Sequence, residues 1–368
     1  MSAGLDKAVL KETARKIFHF MTIEHTGPLP GFGNKNQAER QNEVDADPPV
    51  WGLDINQWDW NPGVGVNSIA AYYDASRDPA ALDFLVSWVR KNRHLARKFQ
   101  HVNVMTPFGI FPDMVRWTGD PYFLDTALDY GDWIVKNSVR TSTGAFQHGG
   151  NLTEEIWADT IFMIVLFLSR LARLTENQAL AQEAARQLLL HLQYLQDPES
   201  GVLFHGYFCD EKSHKSSARW TRGNGWITLG TPLLLAEIKG LLDVPAELTE
   251  RYLRLAAGLA KYQAPNGLWH TVMDQPTFYQ ETSGSAGIAC GLSKSVHQGM
   301  LDSSYLPVVE KAIGGVLSTL TPEGMITGVS GGTPIMHTIE EYNRLTRYPT
   351  LYGQGLSLML LSEYCYRE

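Results

Sequence analysis

Residues 143–148 read TGAFQH, a glycine turn opening a short extended patch that ends on a histidine. The same figure returns as SGVLFH at 200–205, NGLWH at 266–270 and EGMITG at 323–328, so Gly144, Gly201, Gly267 and Gly324 recur at roughly sixty-residue steps. A fixed period of this size marks a stack of similar supersecondary units, here two helices with their connections. A helix-start signal runs in the same rhythm: Asp78 with Pro79, Asp120 with Pro121, Asn177 with Gln178 and Val244 with Pro245 each precede an amphipathic segment. An Asp or Asn cap offers an acceptor to the open N–H groups of a first turn, and proline at the first helical position arrives with its φ already set.

Working outward from these marks, the 3.6-residue hydrophobic period predicts twelve helices. They begin near Leu5, Gly63, Pro79, Asn103, Pro121, Leu152, Gln178, Asn224, Pro245, Ser283, Ser304 and Gly353. Six pairs predict an all-α chain, an (α/α)6 barrel with short extended turns and loops on one rim, built as a single domain over residues 1–368. The inner helices of such a toroid are buried on most sides and the outer ones only on one. That contrast is present: IWADTIFMIVLFL from Ile156 is almost wholly apolar, whereas AQEAARQLLLHLQYL from Ala181 carries a polar stripe. An open helical solenoid is the alternative arrangement of the same pairs. The stretch from about 25 to 60, rich in Gly, Pro, Asn and charge, predicts a long loop.

Composition narrows the partners. With 44% apolar and 19% charged residues the 368-residue chain has ample material for a large core. A net charge of -8 without a basic stripe argues against nucleic acid and anionic membrane surfaces, so an anionic ligand must be held by local cations. Cys209, Cys290 and Cys365 are odd in number and far apart, a pattern that suits a reducing compartment. The N-terminal segment alternates charge with apolar positions and reads as a helix rather than a signal peptide. No apolar run reaches membrane-spanning length. The expectation is a cytoplasmic protein, monomer or homodimer, with no nucleic-acid or membrane partner.

Asp159 stands out because it falls inside a predicted inner helix, with Ile156, Phe162, Met163 and Leu166 on its own face. Burial penalises the charged form and raises a carboxyl pKa, as a general acid near neutrality requires. The competing explanation is an aspartate that caps its own helix or braces an arginine, and at this point the two stand level. WTRGNGW, Trp220–Trp226, brings Arg222 and two indoles to a helix start, where free N–H groups and the helix dipole favour anions and an arginine can fork onto a carboxylate. Arg222 stacked on a tryptophan to brace the loop explains the same residues. ETSGSAG, 281–287, places Ser283 among small residues at another inner-helix start, where Gly284 and Ala286 equally suit close helix packing. His148, His205 and His270 end three of the glycine turns, which would set them on one rim. No pair of them has metal-ligand spacing, so no metal is expected.

Taken together, IWADTIFM, WTRGNGW, ETSGSAG, GVLFHGY from Gly201 and the closing YGQGLSLMLLSE from Tyr352 resemble the unsaturated glucuronyl and rhamnogalacturonyl hydrolases of glycoside hydrolase families 88 and 105, from about Trp51 to the C-terminus. The resemblance implies an (α/α)6 barrel, no cofactor, and an oligosaccharide partner bearing a 4,5-unsaturated uronic acid at its non-reducing end. It implies that the residue matching Asp159 protonates C4 of the double bond and then helps water add at C5. One residue then serves as acid and base, where ordinary glycoside hydrolysis uses two carboxylates. His148, eleven residues before Asp159, together with His205, Trp220, Arg222 and Trp226, falls on the family's pocket positions. Arg222 is expected to pair with the substrate carboxylate and the tryptophans to stack on the ring, with Trp60 as a further wall.

The family pattern DxxxPG before the catalytic helix reads NVMTPFG here, from Asn103 to Gly109, so a carboxylate is replaced by Asn103. Asn103 can bond a hydroxyl but supplies no charge; Asp54, Asp59 or Asp113 would have to substitute if the loops fold inward. Two other readings stay open at this stage: a sugar epimerase using His205 or His270 as proton shuttles, and a non-catalytic oligosaccharide-binding barrel.

Overall fold

The computed structural model describes residues 5–25, 52–149 and 154–366. The predicted helix start at Leu152 and most of the predicted loop at 25–60 lie outside them.

The helices begin where capping chemistry starts them. Asp6 caps α1 (Lys7–Thr22), Asp59 caps α2 (Trp60–Ser76), Asp78 caps α3 (Pro79–Asn92) and Asp120 caps α5 (Pro121–Asn137), each carboxylate accepting a first-turn backbone N–H. Between α3 and α5 a tight helical segment at Val102–Ile110 runs into α4 (Phe111–Thr118). Asn177 caps α7 (Gln178–Leu195). The proline signal shifts by one residue at α9 (Ala246–Tyr262): Pro245 occupies the cap position itself and offers no side-chain acceptor. The remaining helices are α6 (Leu166–Thr175), α8 (Thr221–Ile238), α10 (Thr282–His297), α11 (Leu306–Leu317), the short α12 (Ile339–Asn343) and α13 (Leu351–Tyr366).

Six inner segments pack side by side in chain order: α2, the 102–118 segment, the 161–175 segment ending in α6, α8, α10 and α13. The ring closes because α13 packs against α2, which excludes an open solenoid. Helices α8, α10 and α13 are buried nearly throughout, whereas α1, α3, α5, α7, α9 and α11 bury one stripe each. The fold is therefore the expected (α/α)6 barrel. Small residues set its tightest crossing, where a Cβ at Gly284 would lie 2.6 Å from the Arg222 backbone nitrogen.

The four glycine turns share one hydrogen-bond pattern. In each, the residue three before the glycine accepts the glycine N–H and donates its own N–H to the residue just after it; the exception is Asp197, four before Gly201. Gly144, Gly201, Gly267 and Gly324 all have positive φ, between 80° and 103°, where a side chain is strained. Their extended patches form isolated bridges, and one pair of short strands, β1 (Glu155–Trp157) and β2 (Gly206–Phe208), runs antiparallel.

One predicted helix is displaced. The chain at 155–157 is strand, Asp159 lies on the following turn, and the inner helix opens as a wide turn at Ile161–Val165 before continuing as α6. The apolar run from Ile156 is common to a strand and a buried helix, so periodicity could not separate them. Among the described residues no helix is long and apolar enough to cross a membrane.

Candidate active site

The N-terminal ends of the inner segments converge on the rim that carries the glycine turns. Trp60 opens α2, Asn103 stands at the start of the 102–110 segment, Asp159 precedes the 161–175 segment and Trp220 is the cap residue of α8. Between them lies a cavity of about 300 Å³, lined by Trp60, His101, Asn103, His148, Trp157, Asp159, Met163, Trp220, Arg222 and the Gly332–Pro334 loop. Helix N-termini carry partial positive charge, so this mouth favours an anion although the chain as a whole is acidic.

Asp159 reaches the cavity with its side chain 13% exposed, and its Oδ2 lies 3.6 Å from His205 Nε2. Burial raises its pKa, as expected from sequence, but the His205 imidazole, His148 and the Arg222 guanidinium more than offset it and bring the carboxyl below its ordinary value. The expectation of an elevated pKa is therefore corrected. His148 lies flat on Trp157, with centroids 4.4 Å apart and planes at 4°, and its Nδ1 is 3.2 Å from Thr160 Oγ1. Burial drives His148 down to about 3, so it is a neutral wall of the site. His205 is also depressed by burial, against the raising influence of Asp159. Its ring tilts over Trp220, and its Nδ1 is 2.7 Å from the Tyr342 hydroxyl.

Arg222 is 1% exposed and already heavily engaged. Its NH1 donates to the Ser330 carbonyl and hydroxyl and its NH2 to the Gly331 carbonyl and Thr333 hydroxyl. The guanidinium packs over Trp220 and Tyr352, and Glu281 stands 3.6 Å away. The fork expected to grip a carboxylate is thus committed to the protein, and Nε is the nitrogen left without a hydrogen-bond partner among the described residues.

Other expectations separate clearly. Asp159, Trp60, Asn103, His148, Trp220 and Arg222 come together around the cavity. Trp226 does not: it is fully buried, packed on Phe162 in the core. Ser283 donates to Glu281 at 2.7 Å and is equally buried, so it supports the arginine site from behind. His205 sits behind Asp159 rather than on the cavity wall. His270 bonds the Phe278 carbonyl away from the cavity, so the three turn histidines do not share one pocket. Of the substitute carboxylates, Asp54 serves Asn56 and Gln57, and Asp59 caps α2. Asp113 pairs with Arg116 and faces a separate cavity of about 230 Å³ at the C-terminal ends of the inner helices.

His101, Trp157 and the Gly332–Pro334 loop line the cavity and escaped the sequence reading, as did Tyr342 behind it, while Met163 and Glu281 were read only as a neighbour of Asp159 and as the start of ETSGSAG. Trp157 and Met163 flank Asp159 in IWADTIFM and were legible as its neighbours; the strap that carries Gly332 and Tyr342 has no periodic signal. Among the described residues no group of three or more His, Cys, Asp or Glu is placed to hold a metal ion.

The sequence profile of Glycosyl Hydrolase Family 88 matches residues 35–367. The unsaturated rhamnogalacturonyl hydrolase YesR of Bacillus subtilis is 30% identical over 317 residues, covering 83% of this chain and 89% of that protein. A crystal structure described as a possible member of the GH105 family, from Salmonella enterica serovar Paratyphi A, superposes with a TM-score of 0.87 at 29% identity, covering 99% of this chain and 96% of the other. The unsaturated glucuronyl hydrolase of Bacillus sp. GL1 shares the fold, with a TM-score of 0.71 at 18% identity over 97% of this chain and 96% of its own.

Proposed function

The chain belongs to Glycosyl Hydrolase Family 88 and is a glycosidase, and on that premise we propose that it removes a 4,5-unsaturated uronic acid from the non-reducing end of lyase-generated oligosaccharides, rhamnogalacturonan fragments among them. The observation that carries this reading is a set of buried polar atoms on residues at or beside one cavity: Asp159 Oδ2, Trp220 Nε1 and Arg222 Nε, with His205 Nε2 behind Asp159, all lack hydrogen-bond partners among the described residues. Buried polar atoms are normally satisfied, and a cluster of them beside a cavity is suited to a polar ligand.

Asp159 gives its proton to C4 of the enol-ether double bond. Water adds at C5 and returns a proton to the Asp159 carboxylate, so one residue acts as acid and then as base. The resulting hemiketal opens to a keto-uronate and releases the neighbouring sugar. An ionised Asp159 must first be charged with a proton. The substrate supplies the cause: its carboxylate brings a like charge, takes up the Arg222 Nε–H and cancels part of the field that holds the aspartate ionised. Binding should therefore be accompanied by proton uptake. Trp60 offers a flat face to the uronate ring, Trp220 an indole N–H unpartnered among the described residues, Asn103 a neutral hydrogen-bonding group, and His148 a neutral imidazole. Of the two histidines an epimerase could use, His270 bonds the Phe278 carbonyl away from the cavity, and Asp159→Asn separates the His205 form of that reading from the hydrolase. We also propose an intracellular setting, since such substrates are small enough to be imported.

The test follows the ultraviolet absorbance of the conjugated double bond, which hydration destroys. Disaccharides from pectin-, ulvan- and glycosaminoglycan-degrading lyases are incubated with the wild type and Asp159→Asn. Loss of absorbance with the wild type on at least one of them, abolished in the variant, is expected. Unchanged absorbance on all three would overturn the reading, and full activity of Asp159→Asn would overturn the assigned acid.

A further inference from the structure

The segment Ser330–Arg347 leaves the barrel and returns to it, closed at its base by the Ser330–Arg347 bridge and by the Gly331 N–H to Thr346 carbonyl bond. Its outward limb supplies the acceptors that hold Arg222, namely Ser330, Gly331 and Thr333. Its return limb carries α12, whose Tyr342 is fully buried. That tyrosine is held firmly. Thr338 and Glu341 form a capping box around α12, the Tyr342 carbonyl accepts from the Tyr279 hydroxyl, and the Asn343 side chain accepts from the Tyr279 N–H.

We infer that Tyr342 is a positioning residue that fixes His205 in its Nε2–H form, so that the imidazole presents a hydrogen rather than a lone pair to Asp159. This rests on the reading of Asp159 given above. The Tyr342 hydroxyl accepts the Met336 N–H at 3.2 Å and lies 2.7 Å from His205 Nδ1. A phenol has a single hydrogen to give. Directed at Nδ1, it leaves that nitrogen an acceptor and puts the ring hydrogen on Nε2, 3.6 Å from Asp159 Oδ2. The opposite assignment would aim the Nε2 lone pair at an anionic oxygen in a buried place. Burial keeps the phenol protonated by raising its pKa, so it remains a donor throughout the working range. The groups facing this pair from other elements are Trp157 and Trp220, which offer rings, the neutral His148, the Arg222 cation, and Ser216 beside the phenol. The arrangement is the one in which an outer partner sets the tautomer of a working histidine.

The decisive measurement uses the whole chain labelled with 15N-histidine and long-range 15N–1H correlation spectra, with the His205 signals assigned by comparison with His205→Gln. Wild type is expected to show His205 as the Nε2–H tautomer. Tyr342→Phe keeps the ring and removes the donor; it should give a mixed or Nδ1–H His205, a kcat lower by roughly tenfold, a KM within about twofold, and an Asp159-governed limb of the kcat/KM profile moved to higher pH. An Nδ1–H tautomer in the wild type would overturn the inference, and so would a Tyr342→Phe protein with unchanged tautomer and pH profile. The tautomer is read without substrate, so it tests this assignment even if no unsaturated uronide proves to be hydrolysed.

Discussion

Replacing Arg222 by methionine should destabilise the fold itself, beyond any loss of substrate contact. Arg222 and Glu281 are 1% and 0% exposed and 3.6 Å apart. Removing one partner of a buried pair typically costs about 3–5 kcal/mol because the other charge stays behind. Glu281 keeps four donors, the backbone N–H groups of Ser283, Gly284 and Ser330 and the Ser283 hydroxyl, which places the cost near the lower end, about 3 kcal/mol. Unfolding entropy of about 2 cal/mol/K per residue over this chain length gives about 0.8 kcal/mol/K, so Tm should fall by about 4 °C. Thermal melts by far-ultraviolet circular dichroism measure this directly. Adding Glu281→Gln removes the stranded charge, and the double variant should lose less than the two single variants summed. An unchanged Tm in Arg222→Met with a raised KM would refute the reasoning, because it would mean that the guanidinium serves substrate alone.

Three further outcomes follow from the same structure. His148 is held near 3 in the fold, and His191 near 4, both by burial, while unfolded imidazoles titrate near 6.5. Their folded pKa values are depressed, so the unfolded chain binds more protons below 6.5; stability is full above that pH and falls as pH drops toward 4, and His148→Gln should flatten part of the fall in Tm. Trp220 lines the cavity whereas Trp226 packs in the core. Trp220→Ala should raise KM for an unsaturated disaccharide several-fold, whereas Trp226→Phe should lower Tm and leave KM within about twofold; a KM defect in Trp226→Phe would refute its placement. Gly299 has φ of 71° with open space around it, while at Gly267, φ 96°, a Cβ would fall 2.0 Å from the Lys311 carbonyl oxygen. Gly299→Ala should cost about 1 kcal/mol in denaturant titration, and Gly267→Ala at least twice that.

Much of the architecture was legible because it is encoded locally. Asp78, Asp120 and Asn177 start their helices at the predicted residues since a cap needs only its own first turn. The four turn glycines were readable for a similar reason: a positive φ is a demand on a single residue. Where a segment's identity depends on its neighbours, reading along the chain failed. The run around Ile156 is apolar whether it pairs with Gly206–Phe208 as a strand or winds as a helix, and pairing across some fifty residues decides it. Inside WTRGNGW, Arg222 and Trp226 lie one helical turn apart, yet the former borders the cavity and the latter faces Phe162.

The sequence by itself determined the repeat, the pairing of helices and, through its motifs, the family. These are properties of residue type at fixed spacing. Tertiary structure alone decided the ionisation of Asp159, because burial pulls its pKa upward while groups led by His205, with Arg222 from a further stretch of chain, push harder the other way. It also decided that Arg222 is anchored by the Ser330–Arg347 strap and that Tyr342 from the same strap reaches His205. Electrostatic balance is a sum over everything within a few ångströms, and no spacing along the chain records that sum.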